Sequence, residues 1–170
     1  MRALVKAEPA PGLTLQDMPV PDVGTDDVLV KIHRTGICGT DMHIWNWDAW
    51  ASKTVPVPLI VGHEYSGEII AVGSHVRDLD IGQRVTGEGH VIGHRSRAVR
   101  AGKYHLDPDT KGIGVNIPGA FADYLSLPAF QCLLKSCPDD MIDETAAHSG
   151  SVGNAVHTQR HLICVGEDVL

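Results

Sequence analysis

Several things are scarce or missing in this 170-residue sequence, and each absence narrows the reading. No apolar run approaches the roughly 18 residues that a membrane-spanning helix needs, so no membrane partner is expected. Positive charge is short: 14 Lys and Arg stand against 21 Asp and Glu, and the net charge of −7 argues against a nucleic-acid surface. The one basic cluster, Arg95, Arg97, Arg100 and Lys103, reads as a solvated loop face. The cysteines Cys38, Cys132, Cys137 and Cys164 lack the spacing of a disulfide framework, which makes a reducing cytoplasm the expected compartment. Met1 to Lys6 reads as an opening strand without a signal-peptide apolar core. There is no P-loop, no nucleophile elbow and no complete G-x-G-x-x-G turn. Gly112-Ile113-Gly114-Val115 lacks the third glycine, and Pro118 stands where a helix should open. A Rossmann domain is therefore not expected in the chain.

What is present suggests one domain, large enough to bury roughly 70% of its unfolded surface. Short strands dominate: Leu4–Lys6, Val28–Ile32, Glu64–Val72, Arg84–Thr86 and Phe121–Leu127. Turn signals at Pro19 to Thr25, Val72-Gly73-Ser74, Asp80 to Gln83 and Ile117-Pro118-Gly119 separate them. The expectation is a compact barrel or sandwich, mainly β with some α. A short helix should start near Thr40 and carry His43 one turn along. A second helical stretch runs from Asp139 to about His161, with Asp140 or Asp143 as cap and with Gly150 and Gly153 expected to bend or break it. Glu167 to Leu170 reads as a buried strand.

The chemistry concentrates in Cys38-Gly39-Thr40-Asp41-Met42-His43 and, further on, Gly62-His63-Glu64. A single Cys or His is usually a small buried side chain or a hydrogen-bonded one. Together, in a frame of glycines (Gly36, Gly39, Gly62, Gly67), the thiolate, the imidazole and the adjacent carboxylate read as a zinc site. Three protein ligands leave one position open, as a catalytic zinc requires. The apolar runs Val28–Ile32 and Val57–Val61 would deliver the two motifs on strand ends. Trp45, Trp47 and Trp50 are expected to pack around the entrance. Cys132, Cys137 and Cys164 read as inert or exposed thiols, His75 and His161 as surface residues, and Asp78 with Asp80 as a turn.

Long stretches of the chain resemble the zinc-dependent medium-chain dehydrogenases. They include Thr35-Gly36-Ile37-Cys38-Gly39-Thr40-Asp41, Val61-Gly62-His63-Glu64, Gly87-Glu88-Gly89-His90, Gly112-Ile113-Gly114-Val115-Asn116 and Pro118-Gly119-Ala120-Phe121-Ala122. The Trp-rich stretch Trp45 to Trp50 and Gly153-Asn154-Ala155-Val156-His157-Thr158 point to the threonine-oxidising branch. The resemblance implies a GroES-like β-barrel catalytic domain spanning residues 1–170. It implies one catalytic zinc at Cys38, His63 and Glu64, a proton relay through Thr40 and His43, and a pocket lined by His90. The implied substrate is L-threonine or a similar amino alcohol, and NAD would sit on a separate cofactor domain.

The sequence departs from that pattern in places. Residues 90–110 align with the family's structural-zinc lobe, but its C-x2-C-x2-C-x7-C spacing holds Gly93, Ser96, Val99 and Asp107, so no structural zinc is expected. The family's acidic position before Gly153 is Gly150, and His148 beside it reads as a surface residue in preference to a substitute for the missing acidic group. Residues 139–170 form a tail that would lead toward a cofactor domain, and the sequence stops before that domain's G-x-G-x-x-G turn. These features together suggest an isolated, redesigned catalytic domain with little activity alone. The alternatives are a stand-alone zinc module with weak hydrolytic activity and a metal-free scaffold.

Overall fold

Antiparallel pairing accounts for every ladder of the computed structural model, which describes residues 1–93, 95–132 and 140–162, with the backbone alone for 157–162. The central strand is β3 (Asp27–Gly36), whose Val28, Leu29 and Val30 are buried. The other long strands are β1 (Arg2–Lys6), β2 (Thr14–Asp17), β5 (Glu64–Val72) and β9 (Tyr124–Pro128). The short ones are β4 (Leu59–Ile60), β6 (Arg84–Thr86), β7 (His90–Val91) and β8 (Lys111–Gly112). They form sheets in the orders β2-β1-β4, β6-β5-β3-β9 and β7-β8. In β9, Leu125 and Leu127 point inward while Tyr124 and Ser126 do not, the period-2 pattern of a half-buried strand. Asp123 joins the larger sheets: its N–H donates to the Arg2 carbonyl, and its carbonyl accepts from Ile32 N–H. A barrel results, mainly β with some α, as the sequence suggested. Its main core gathers Val28, Val30, Tyr65, Ile69, Val85, Leu125 and Leu127.

The helices are α1 (Gly39–Asn46), α2 (Ala51–Thr54), α3 (Arg97–Arg100), α4 (Asp143–Ala147) and α5 (Ser149–Leu162). Helix α1 starts where expected and carries His43. It closes at Trp47, which adopts a left-handed conformation (φ 53°). A second small core, Ile44, Ala51, Val55, Leu59 and Val61, pins α1 and α2 to the barrel. Lys6 is fully buried beside it, with Nζ donating to the carbonyls of Ala10, Gly12 and Trp45 and lying 4.9 Å from the Trp47 ring centre.

The C-terminal helical region differs from expectation. The chain breaks at His148 (φ −91°, ψ 11°), between α4 and α5, whereas Gly150 and Gly153 both lie inside α5. A Cβ at either glycine would meet open space, so both sit on an exposed face where glycine costs propensity but no packing. Ile142 holds the N-cap position of α4, and Asp143 is its first residue. The Asp143 carboxylate instead bonds Arg84 Nη2 (2.7 Å) and His33 Nδ1 (3.1 Å), and its carbonyl accepts from Ser66 Oγ (2.8 Å). That cluster, with buried Ala146 and Ala147, docks α4 on β3, β5 and β6.

In residues 90–110, Gly93, Ser96, Val99 and Asp107 are paired by hydrogen bonds. Asp107 Oδ2 accepts from Gly93 N–H (2.6 Å), and Ser96 Oγ accepts from Val99 N–H (3.2 Å), which caps α3. His90 is engaged with Glu88, and among the described residues no group of metal-ligand side chains forms in this lobe. Arg95, Arg97, Arg100 and Lys103 are exposed, as a solvated face should be. His94, Asp139, Cys137, Cys164 and the strand expected at Glu167 to Leu170 lie outside the described residues.

Candidate metal centre and substrate cavity

The β3–β5 ladder places the first motif beside the second. Gly36, the last residue of β3, pairs with Glu64, the first residue of β5. Two residues past Gly36 comes Cys38, and His63 immediately precedes β5. Ligand atoms of Cys38, His63 and Glu64 consequently lie within 4.8 Å of one another, and Glu64 is buried. The expected strand over 57–61 narrows to β4, and the chain then turns at Gly62 (φ +91°) to present His63. A Cβ at Gly62 would collide with Phe121, and one at Gly114 or Gly119 would collide with the Gly62 backbone. Glycine is thus required on both sides of this turn.

The trio fits zinc on its own chemistry: one soft thiolate, one imidazole, one carboxylate, and support behind them. Asp41 supplies that support. It is buried, its Oδ2 accepts from Cys38 N–H (2.8 Å), and its Oδ1 lies 3.7 Å from His63 Nδ1. His63 Nδ1 and Asp41 Oδ1 are buried and make no hydrogen bond among the described residues, so both retain polar capacity beside the trio. Burial pushes the Asp41 carboxyl above its ordinary range, against the lowering effect of Cys38 N–H and of His63.

Glu64 is held from the helical side. Ser151 Oγ donates to Glu64 Oε1 (2.5 Å), and His148 Nδ1 stands 3.5 Å from Oε2. His148 is half exposed, as the surface reading required, but its ring faces the Glu64 carboxylate and is not idle. The break between α4 and α5 brings both residues to that carboxylate. Ser149, at the start of α5, lies 3.1 Å from Thr86 Oγ1 and ties the helix to β6.

The trio opens into a cavity of about 410 Å³ whose lining includes Thr40, Trp50, Glu88, His90, Ser151 and Asn154. Thr40 Oγ1 is 3.9 Å from Cys38 Sγ. His90 pairs with Glu88 (Nδ1 to Oε1, 2.7 Å), which raises the His90 pKa and lowers that of Glu88, the hydrogen bond between them being the main cause of both shifts. His43 is not in the lining. It is exposed on α1, with Nδ1 2.5 Å from Asp48 Oδ2 and its ring edge-on to Trp50. Asp48 is held below its usual carboxylate range by Ala51 N–H first and by His43 second. Of the tryptophans, Trp50 reaches the cavity, while Trp45 is exposed on α1 and Trp47 stacks near Lys6. Cys132 is buried in the main core, where burial pushes its thiol up to about 12, so it is inert.

Residues 24–139 match the family model described as the alcohol dehydrogenase GroES-like domain. The chain belongs to that family. Over all 170 residues this GroES-like domain is 59% identical to an L-threonine 3-dehydrogenase of Ruegeria pomeroyi and 54% identical to one of a Chelativorans species, covering 49% of each. It thus spans about half the length of the curated relatives it matches. Galactitol-1-phosphate dehydrogenase from Escherichia coli has a similar structure (TM-score 0.85, 26% identity), over 94% of this chain and 44% of that one. No helix among the described residues of the GroES-like domain is long and apolar enough to cross a membrane.

Sequence reasoning named Cys38, His63, Glu64, Thr40, His43 and His90. It gave Asp41 and Ser151 no role. Asp41 had a signal, its place three residues after Cys38 at a helix start. Ser151 had none, because its partner lies 87 residues away in sequence.

Proposed function

We propose that residues 1–170 act as the zinc-holding catalytic domain of an L-threonine 3-dehydrogenase, with NAD carried on a separate domain. The convergence of Cys38, His63 and Glu64 at the wall of one cavity carries the reading, and the similarity to L-threonine 3-dehydrogenases over the whole chain supports the substrate. Cys38, His63 and Glu64 would hold the metal. When bound, zinc supplies a Lewis acid that lowers the pKa of an alcohol oxygen. Thr40 stands beside Cys38 in the cavity wall, where its hydroxyl can relay a proton, accepting the one released by the substrate while passing its own onward. His43, exposed and held by Asp48, gives that proton an exit to solvent. His90 and Glu88 line the substrate side, and Asp41 and Ser151 keep the ligating side chains in place.

Elemental analysis of the purified chain beside Cys38→Ala tests the reading. About one zinc per chain, lost in the variant, is the expected result. Equal zinc in both proteins would refute it.

A further inference from the structure

We infer that Lys6 is a positioning residue for the metal trio, setting where Cys38 stands relative to His63 by tying together the segments that carry them. The inference rests on the metal reading proposed above. The trio draws on two segments: Cys38 is the N-cap of α1, and His63 follows the end of β4 by a short turn. The β3–β5 ladder holds the chain as far as Gly36, so the direction of α1 decides where Cys38 and Asp41 point. Lys6 reaches both segments. Its backbone pairs with Leu59 in β4, and its Nζ donates to the carbonyl of Trp45 at the far end of α1 (3.4 Å). The carbonyls of Ala10 and Gly12 take its remaining donors.

The end of α1 needs such a partner. The N–H groups of Trp47 and Asp48 turn back to the carbonyls of Ile44 and His43, which leaves the Trp45 carbonyl to partners outside the helix. Gly12 N–H (2.8 Å) and Lys6 supply them, and a cation there suits the negative end of the helix dipole. Trp47 closes α1 in the left-handed region, a strained conformation for a bulky residue that only surrounding contacts maintain. Its ring lies over the Lys6 ammonium, 4.9 Å from the ring centre. Lys6 is fully buried, and its three hydrogen bonds all go to neutral carbonyls. Burying a charge is costly, and an apolar side chain of similar length would fill the space without that cost. What it would lack is the directional bonds that hold the end of α1 against β1 and β4. Helix α1 has eight residues, about 12 Å of rigid rod, so a change of angle at Trp45 turns Cys38 and moves Asp41 against His63.

Cobalt(II) titration of the purified, metal-stripped chain tests the inference, because a thiolate ligand gives cobalt a charge-transfer absorption band that reports the ligand geometry. Lys6→Met keeps the volume and removes the donors. It should lower cobalt affinity about 10-fold, as loss of a group supporting a ligand does, and weaken the thiolate band. Lys6→Gln, which restores two donors, should recover part of both. Leu127→Ala, a truncation in the main core, should unfold at lower urea yet keep the wild-type affinity and band. A wild-type affinity and band in Lys6→Met would overturn the inference, as would an equal loss in Leu127→Ala. If Lys6→Met does not fold, Lys6→Gln decides: a band and affinity equal to wild type overturn the inference, and an intermediate loss upholds it. Cys38→Ala separates the two readings. A cobalt spectrum that survives Cys38→Ala sinks the metal reading and this inference with it, whereas one that needs Cys38 but ignores Lys6 sinks this inference alone.

Discussion

Replacing Asp143 with Asn should loosen the wall that carries His148 and Ser151. The carboxylate bonds Arg84 at 2.7 Å and His33 at 3.1 Å, with the Asp143 and Arg84 side chains 26% and 29% exposed. An exposed pair contributes at most about 1 kcal/mol, and breaking a buried one costs about 3–5 kcal/mol, so this partly covered pair should be worth about 2 kcal/mol. For a chain of this size that corresponds to about 4–8 °C in melting temperature. The pH dependence follows from the direction of the shift. The Arg84 hydrogen bond, ahead of His33, depresses the Asp143 pKa, so its contribution is present above the ordinary carboxylate value of 3.8 and is lost as pH falls through the folded value. Thermal unfolding of wild type and Asp143→Asn should differ at pH 7, and the difference should shrink as pH falls below 3.8. A difference below about 1 °C at pH 7, or one that stays constant into acid, would refute this account of how α4 is held.

Other consequences are as direct. Gly36→Ala would drive a methyl group into the Glu64 carboxylate and to 3.0 Å from the His148 ring, so zinc affinity should fall about 10- to 100-fold, read by competition with a chromogenic chelator. The Glu88–His90 pair has a raised His and a lowered Glu, so its contribution peaks between the ordinary values of 4.5 and 6.5, fading above as His90 deprotonates and below as Glu88 protonates. Urea titrations of Glu88→Gln should show a loss of about 0.5 kcal/mol at pH 5.5 and less at pH 8.5, the small size reflecting exposure. Tyr65 is fully buried, and its hydroxyl has no hydrogen-bond partner among the described residues. Tyr65→Phe should therefore leave stability unchanged or raise it by about 1 kcal/mol, measured by the same titration.

Strands β3, β5, β6 and β9 were legible because runs such as Val28 to Ile32 and Tyr124 to Leu127 carry their burial pattern in their own residues. Strand β2 was not: Thr14, Leu15 and Asp17 are exposed on a sheet edge, where pairing with β1 and not burial makes the strand. The helix break was misplaced because glycine propensity acts weakly on an exposed face, while His148 and Ser151 are drawn to Glu64 by contacts that no local pattern encodes. The Cys38–His63–Glu64 trio was readable as residue types in two short motifs. Its supports were not, since Ser151 and Asp143 act on partners 87 and 59 positions away.

The pairing of Gly36 with Glu64 has a consequence for folding fidelity. In a β ladder a slip of one residue turns every side chain to the opposite face. A slipped β3 would carry Cys38 away from His63, and the two register shifts already present in this ladder mark where such an error could arise. On the proposed metal reading, only natively registered chains would bring the three side chains together. If the trio holds zinc as proposed, zinc content per chain would double as a proofreading signal for the central strand pair, well before any substrate is supplied.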